Sequence, residues 1–282
     1  MSIVTRFAPS PTGFLHLGHA HAALTAARHA REAGGRFLLR LEDIDPTRCQ
    51  PRFATAIEED LHLLGLNWDG AVRVQSTHLD AYRAVLDALA ARGLAYPCFC
   101  TRADIAREIG QSAAAPHAPD GSAVYPGICR ALPASVRAAR IAAGEPHALR
   151  LDMAQALRAV PHALTFAELN EGDVVCKPAP FGDVVLARKD APASYHLCVT
   201  HDDALQGVTL VTRGIDLKPA THLHRLLQAL MGWPVPRYAH HDLLTDPRGK
   251  RLAKRDGAAT LRALRERGVS PSEVRAMAFN QF

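Results

Sequence analysis

No apolar run in this 282-residue chain approaches the roughly 20 residues that span a bilayer, and its first residues do not form a secretory leader. Those two absences make a cytoplasmic location the expectation. Cysteine is sparse: six residues in an unsecreted chain point to metal ligands or core thiols and exclude a disulfide framework. A Gly-x-Ser-x-Gly elbow is missing, and with 15 histidines chance pairings are inevitable, so a Ser/His/Asp hydrolase has no support. Internal repeats are also missing, which excludes a solenoid or propeller.

What is present is an ordinary globular composition, 48% hydrophobic and 22% charged, in a chain long enough for one large or two small domains. The formal charge of +5 suits a polyanionic partner without demanding one. Up to about residue 95, strand and helix patterns alternate: Ile3–Phe7 and Arg36–Leu41 read as strands, and His19–Ala33, Pro51–Leu64 and Tyr82–Ala91 as helices. That rhythm predicts an α/β fold, a Rossmann-like parallel sheet. From Tyr96 to about Asp190 the rhythm breaks into a cysteine cluster, a Pro/Ala/Gly-rich stretch (112–122) and short strands at 148–152 and 183–188. It resumes at Ser194, with a strand at 208–212 and a helix at 218–231, and Gly232-Trp-Pro-Val-Pro236 is expected to close the sheet. The expected organisation is a first half-sheet over 1–95, an insertion over 96–190, a second half over 191–236, and a basic loop with a short helical tail over 237–282.

Arg6-Phe-Ala-Pro-Ser-Pro-Thr-Gly-Phe-Leu-His-Leu-Gly-His19 carries the most chemistry. A strand, a Gly/Pro-rich turn and a helix start present free backbone N–H groups to a phosphate. His16 and His19, three apart, project from the first helical turn on one side. Gly18 between them leaves room for a flat ring against the backbone. A lone His-x-x-His would read as helix capping, but here the strand, Gly13, Gly18 and the RFAPSPTG prefix agree on nucleotide binding. A second basic feature is Lys250-Arg-Leu-Ala-Lys-Arg255, more than two hundred residues away, which on its own would read as a solvated or RNA-facing loop.

The first segment resembles the signature of class I aminoacyl-tRNA synthetases, and its wording resembles the glutamyl branch. Residues 251–255 resemble that family's second signature, the mobile KMSKS loop, with Arg251 in place of the first lysine and Ala253 in place of the serine. The resemblance puts Lys254 on the ATP phosphates and makes His16, Gly18 and His19 the rest of the ATP site, with Mg²⁺ accompanying the nucleotide. It implies that glutamate is held by Arg6, Phe7, Ala8, Pro9 and Ser10, then Glu42, Tyr195 and Arg213. The set is coherent: a carboxylate side chain needs a fixed guanidinium, and an α-ammonium needs an acceptor such as Glu42. Arg213 discriminates most, because a neutral glutamine amide would leave a buried guanidinium unpaired. The glutaminyl relatives also carry a glutamate at the place of Ser10. Asp202-Asp203 is expected to cap or to position Arg213, and His240-His241-Asp242 to be a loop near the nucleotide.

Cys98-Phe-Cys100 and Tyr125-Pro-Gly-Ile-Cys129 suggest one structural Zn²⁺ site, which wants four ligands. Tyr125 and His117 both remain open as the fourth donor on the residues alone. The spacing resembles the site of truncated glutamyl-synthetase paralogues, where a tyrosine oxygen completes the set, and this favours Cys98, Cys100, Tyr125 and Cys129. Cys49, Cys176 and Cys198 read as core or surface residues.

Full-length members of the family continue well past the KMSKS-like loop into an α-helical anticodon-binding domain, whereas this sequence ends at Phe282. The expectation is therefore a catalytic body without that domain. In the truncated paralogues, activated glutamate passes to the cyclopentenediol of queuosine in the anticodon loop of tRNA-Asp. The resemblance thus implies ATP, L-glutamate and queuosine-bearing tRNA-Asp as partners of a monomer. Two alternatives stand beside it: a truncated synthetase charging tRNA-Glu, and a non-catalytic RNA-binding paralogue. Intact His16, His19 and Lys254 argue against the last.

Overall fold

The computed structural model describes residues 2–110, 117–244 and 259–279. The first half runs β1 (Val4–Phe7), α1 (Leu17–Glu32), β2 (Arg36–Leu41), α2 (Pro51–Leu63), β3 (Arg73–Val74) and α3 (Leu79–Ala91). The middle holds β4 (Ala95–Cys98), α4 (Arg102–Gly110), α5 (Ala134–Ala142), β5 (Ala148–Leu151), α6 (Met153–Ala159), β6 (Thr165–Glu168), β7 (Gly172–Val175) and β8 (Val185–Ala187). Then come α7 (Tyr195–Leu205), β9 (Leu210–Gly214), α8 (Ala220–Met231), β10 (Arg237–His241), α9 (Leu261–Glu266) and α10 (Pro271–Phe279). Among the described residues no helix is long and apolar enough to cross a membrane.

Local sequence explains the first unit. β1 and β2 pair in parallel from Val4↔Arg36 to Phe7↔Leu39. Alanines 20, 23, 26, 27 and 30 of α1 are buried, and their small side chains let the helix lie close on the sheet, where Thr5 Oγ1 donates to the Ala26 carbonyl at 2.8 Å. The turn into β2 requires glycine: a Cβ on Gly35 would sit 1.9 Å from the Ile3 carbonyl oxygen. Pro51 opens α2, and Phe53, Ile57 and Leu61, four apart, form its buried stripe.

β1, β2 and β3 form one parallel sheet, and β9, β10 and β6 another, with β7 antiparallel at its edge. The two meet edge to edge at β1 and β9, where the Thr209 N–H donates to the Val4 carbonyl at 3.0 Å and the Val4 N–H to Thr209 Oγ1 at 2.8 Å. The chain order therefore reverses between β1 and β9, the place where open α/β sheets form their ligand crevice. A separate antiparallel sheet of β4, β5 and β8 belongs to the middle segment.

Two strands cross the expected boundaries. β6, inside the segment expected to be an insertion, hydrogen-bonds to β10 of the second half. β10 itself lies beyond Pro236, so Gly232-Trp-Pro-Val-Pro236 leads into a strand instead of closing the sheet. His240 and His241 are accordingly strand residues and not a loop. The strand expected at 208–212 begins two residues later, at Leu210. The tail is integrated too: Leu261, Leu264, Val274 and Ala278 join the core formed by α1, α2 and the first sheet.

Candidate active site

A cleft of about 960 Å³ opens at the carboxyl ends of β1 and β9, between the sheet and the middle segment. Arg6, Phe7, Ala8, Pro9 and Ser10 line one wall. His16, Gly18 and His19 line it at the start of α1, and Glu42, Tyr195 and Arg213 line it from three further segments. The loop after β1 is fixed to the loop after β2 by the Glu42 N–H, which donates to the Pro9 carbonyl at 3.0 Å.

His16 is the N-cap of α1, and its Nδ1 accepts the Gly18 N–H at 3.1 Å. His19 Nδ1 accepts the His16 N–H at 3.2 Å, and the two rings lie 3.8 Å apart between centroids. A ring that accepts at Nδ1 carries its proton on Nε2, so each histidine has an N–H donor at the helix's positive end.

Beneath the cleft lies a buried ionic cluster. Arg6 Nε and Nη2 donate to the two carboxylate oxygens of Asp203 at 2.9 and 3.4 Å, and Nη1 donates to the Thr212 carbonyl at 3.2 Å. Arg40 is fully buried and donates to Asp203 at 2.7 Å and to Gln206 at 3.0 Å, with Glu42 at 3.5 Å from its Nε. Burial alone would raise the Asp203 pKa; the guanidinium groups of Arg6 and Arg40 overcome it and hold it below the ordinary carboxylate range. Glu42 goes the other way: burial outweighs Arg40 and Arg6 and pushes it up to about 7. Asp202 is bound differently, to Arg73, Gln75, Tyr82 and His201 at 2.8–3.0 Å. Neither aspartate caps a helix or touches Arg213 in these contacts, because both lie inside α7 and point at β1, β2 and the β3–α3 region.

Among the described residues, the hydrogen-bond acceptors of Arg213, itself 6% exposed, are neutral groups. Its Nε donates to His240 Nε2 at 3.2 Å, Nη1 to His224 Nδ1 at 3.1 Å, and Nη2 to Thr221 Oγ1 at 2.7 Å. Burial, reinforced by the Arg213 charge, drives His224 well below its usual pKa. Its neighbour His196 is lowered to about 4, mainly by burial. A buried cation without a carboxylate beside it is expensive, and proteins retain one where a ligand supplies the anion. Tyr195, the first residue of α7 after its N-cap Ser194, lies on the same wall, and burial raises its pKa.

On the middle segment Cys98, Cys100 and Cys129 bring their sulfurs within 4.8 Å of one another. Tyr125 Oη is 3.4 Å from both Cys98 Sγ and Cys100 Sγ and accepts the Cys129 N–H at 2.8 Å. The Phe99 N–H donates to Cys129 Sγ at 3.3 Å. Four donor atoms at these separations match the edges of a tetrahedron with metal–sulfur bonds of about 2.3 Å. His117 is exposed, bridges Ala123, and is not part of the cluster.

A family model described as tRNA synthetases class I (E and Q), catalytic domain, matches residues 2–279. A glutamyl-Q tRNA(Asp) synthetase of Rhodobacter capsulatus is 47% identical over 98% of this chain and 99% of its own length. The chain belongs to the glutamyl-Q tRNA(Asp) synthetase family of class I tRNA synthetases. It is a ligase of that class. A further member of the glutamyl-Q family, from Nocardia farcinica, is 45% identical over 96% of this chain and 82% of its own length. The glutamate–tRNA ligase of Aquifex aeolicus is 38% identical over 96% of this chain but 55% of its own length. Among solved structures, a glutamate tRNA ligase from Elizabethkingia meningosepticum, crystallised with its amino acid, superimposes with a TM-score of 0.76 at 28% identity, covering 91% of this chain and 53% of that one. The chain thus spans about half the length of the glutamate–tRNA ligases it matches.

Lys254, with Arg251 and Ala253, lies outside the described residues. Arg40, Glu168, Thr221 and His224 escaped the sequence reading, and His240 entered it only as a loop residue near the nucleotide. Arg40 carried a signal, a lone charge inside the apolar run Phe-Leu-Leu-Arg-Leu; the others had none, since each gains its meaning from Arg213 only after β6, α8 and β10 come together.

Proposed function

We propose that this enzyme activates L-glutamate with ATP to glutamyl-adenylate and transfers the glutamyl group to the queuosine base in the anticodon loop of tRNA-Asp. The observation that carries the amino-acid half is Arg213, a buried guanidinium on the cleft whose hydrogen-bond partners among the described residues are neutral. The tRNA half is supported by the name of the Rhodobacter relative, which matches end to end.

In this reading the γ-carboxylate of glutamate lies on Arg213, its α-ammonium on Glu42, and Tyr195, Arg6 and the 7–10 segment shape the remaining contacts. An α-carboxylate oxygen attacks the α-phosphorus of ATP; the new O–P bond forms as the bond to pyrophosphate breaks. The Nε2–H groups of His16 and His19 stabilise charge on the phosphate oxygens, and Gly18 lets the nucleotide approach the backbone. Mg²⁺ bound with ATP supplies further neutralisation of phosphate charge. Leu244 lines the cleft, Thr260 bridges His16, and the Leu261 N–H donates to the Leu15 carbonyl at 2.8 Å, so both flanks of the 245–258 segment adjoin the nucleotide side. That supports the assignment of Lys254 to the phosphates. A queuosine hydroxyl then attacks the acyl carbon and AMP leaves.

Glutamate-dependent exchange of labelled pyrophosphate into ATP, without tRNA, tests the first step. Exchange is expected with glutamate; its absence would favour a non-catalytic RNA-binding protein. The raised Glu42 pKa adds a pH signature. Below about 7 its carboxyl is protonated in the free enzyme and must lose that proton to bind an ammonium. The KM for glutamate should therefore rise as pH falls from 8 to 6, approaching about tenfold per unit at the acid end. A KM independent of pH over that range would remove Glu42 from the ammonium contact.

Cys98, Cys100, Cys129 and Tyr125 fit a structural Zn²⁺ by donor type and separation, and would tie the strand β4 to the 125–129 turn. Elemental analysis should find about one zinc per chain, and Cys98→Ser should lose it with a lower melting temperature. Carefully purified wild-type protein without stoichiometric zinc would reject the site.

A further inference from the structure

We infer that Glu168 and His240 form a positioning pair that orients Arg213 for the side-chain carboxylate of the substrate. This rests on the reading of Arg213 given above. Arginine donates and never accepts, so the His240 Nε2 that receives Arg213 Nε at 3.2 Å carries no proton. The ring proton is then on Nδ1, which donates to Glu168 Oε2 at 2.6 Å. Glu168 Oε1 accepts the His240 backbone N–H at 3.0 Å, so one carboxylate grips both the strand and the ring. Both residues are buried, Glu168 at 3% and His240 at 8% exposure.

The arrangement separates two needs that a direct ion pair would set against each other. A carboxylate touching Arg213 would fill the guanidinium fork and compete with the substrate. With no acidic group nearby, the buried charge would lack compensation. One imidazole between Arg213 and Glu168 lets the carboxylate supply the counter-charge without occupying the fork. Three of the five N–H bonds of the guanidinium go to His240, His224 and Thr221. The remaining two, one on each terminal nitrogen, suit a two-pronged carboxylate contact. His224 is fixed in the same sense: its Nδ1 accepts from Arg213, which leaves its Nε2–H to donate to His196 Nδ1 at 3.1 Å. Glu168 is not among the described residues that line the cleft, and acts through His240.

Glu168→Gln in the full chain tests the pair. An amide offers one acceptor where the strand N–H and the ring N–H need two, so its NH₂ opposes the His240 backbone N–H or the Nδ1 proton, or shifts that proton to Nε2, where it opposes Arg213; in every case the negative charge is lost. In pyrophosphate exchange the KM for glutamate should rise by about tenfold or more, against less than about threefold in kcat and in the KM for ATP. The preference for glutamate over glutamine should narrow as well. A KM for glutamate within about twofold of the wild type would overturn the inference. If the variant does not fold, the wild type decides: nitrogen-15 NMR of the His240 ring at pH 7 should show the Nδ1–H tautomer. An Nε2–H tautomer or an imidazolium would overturn the pair. Wild-type enzyme without glutamate-dependent exchange would instead overturn the reading of Arg213, which separates the two failures.

Discussion

Replacing Asp203 with asparagine should lower the melting temperature by roughly 10 °C and abolish glutamate-dependent exchange. Asp203 holds Arg6 from β1 and Arg40 from β2, at 2.9 and 2.7 Å, from its place on α7 of the second half. It is the charge on which the seam between the two half-sheets depends. Asparagine keeps the shape but removes the negative charge and turns an NH₂ toward one of the guanidinium groups. Arg6 is then left buried without its carboxylate partner and Arg40 with Glu42 alone, a defect that typically costs about 3–5 kcal/mol. That is a large share of the roughly 5–15 kcal/mol that stabilises a folded domain. Because its folded pKa is depressed, Asp203 contributes stability above the ordinary carboxylate range, and this is lost as pH falls through the depressed value. The catalytic loss follows from Arg6, whose guanidinium lines the cleft beside the 7–10 segment. Thermal melts and exchange kinetics on the variant check both parts; a melting temperature within about 2 °C of wild type would show that the cluster does not hold the seam.

Arg213→Ala should behave in the opposite way on stability. Its described hydrogen-bond partners are neutral, so removal leaves no carboxylate stranded beside it, and His240 keeps its contacts with Glu168. The melting temperature should change little, since the desolvated guanidinium disappears together with its attraction to the buried Glu168 one imidazole away. The loss falls on the substrate: kcat/KM for glutamate should drop by about 10²-fold or more, the usual consequence of truncating one partner of a buried charge pair. ATP binding, measured by calorimetry, should be retained. Unchanged glutamate kinetics would remove Arg213 from the pocket, and a collapse in stability would mark it as a structural residue. Together the two variants separate a charge kept for the fold from one kept for a ligand.

Local features were legible in the sequence and long-range pairings were not. The strand–turn–helix opening, the helices at 51–63, 79–91 and 220–231, and the residues that share the cleft all follow from short windows or from the family resemblance. The misreadings cluster where short strands meet across the chain. Arg237-Tyr-Ala-His-His241 has no apolar run, yet it is an inner strand because β9 and β6 flank it. Thr165–Glu168 joins the same sheet from inside a segment whose composition reads as an insertion. Asp202-Asp203 was expected to cap or to position Arg213; the fold gives Asp203 to Arg6 and Arg40, some 160 to 200 residues away. Glu168 and His240, 72 residues apart, could not be linked without that sheet.

The most direct measurement of the central claim offers labelled glutamate and ATP to three RNAs: tRNA-Asp with queuosine, tRNA-Asp without it, and tRNA-Glu. The account predicts label on queuosine-bearing tRNA-Asp alone. Equal labelling of queuosine-free tRNA-Asp, or preferred labelling of tRNA-Glu, would contradict it.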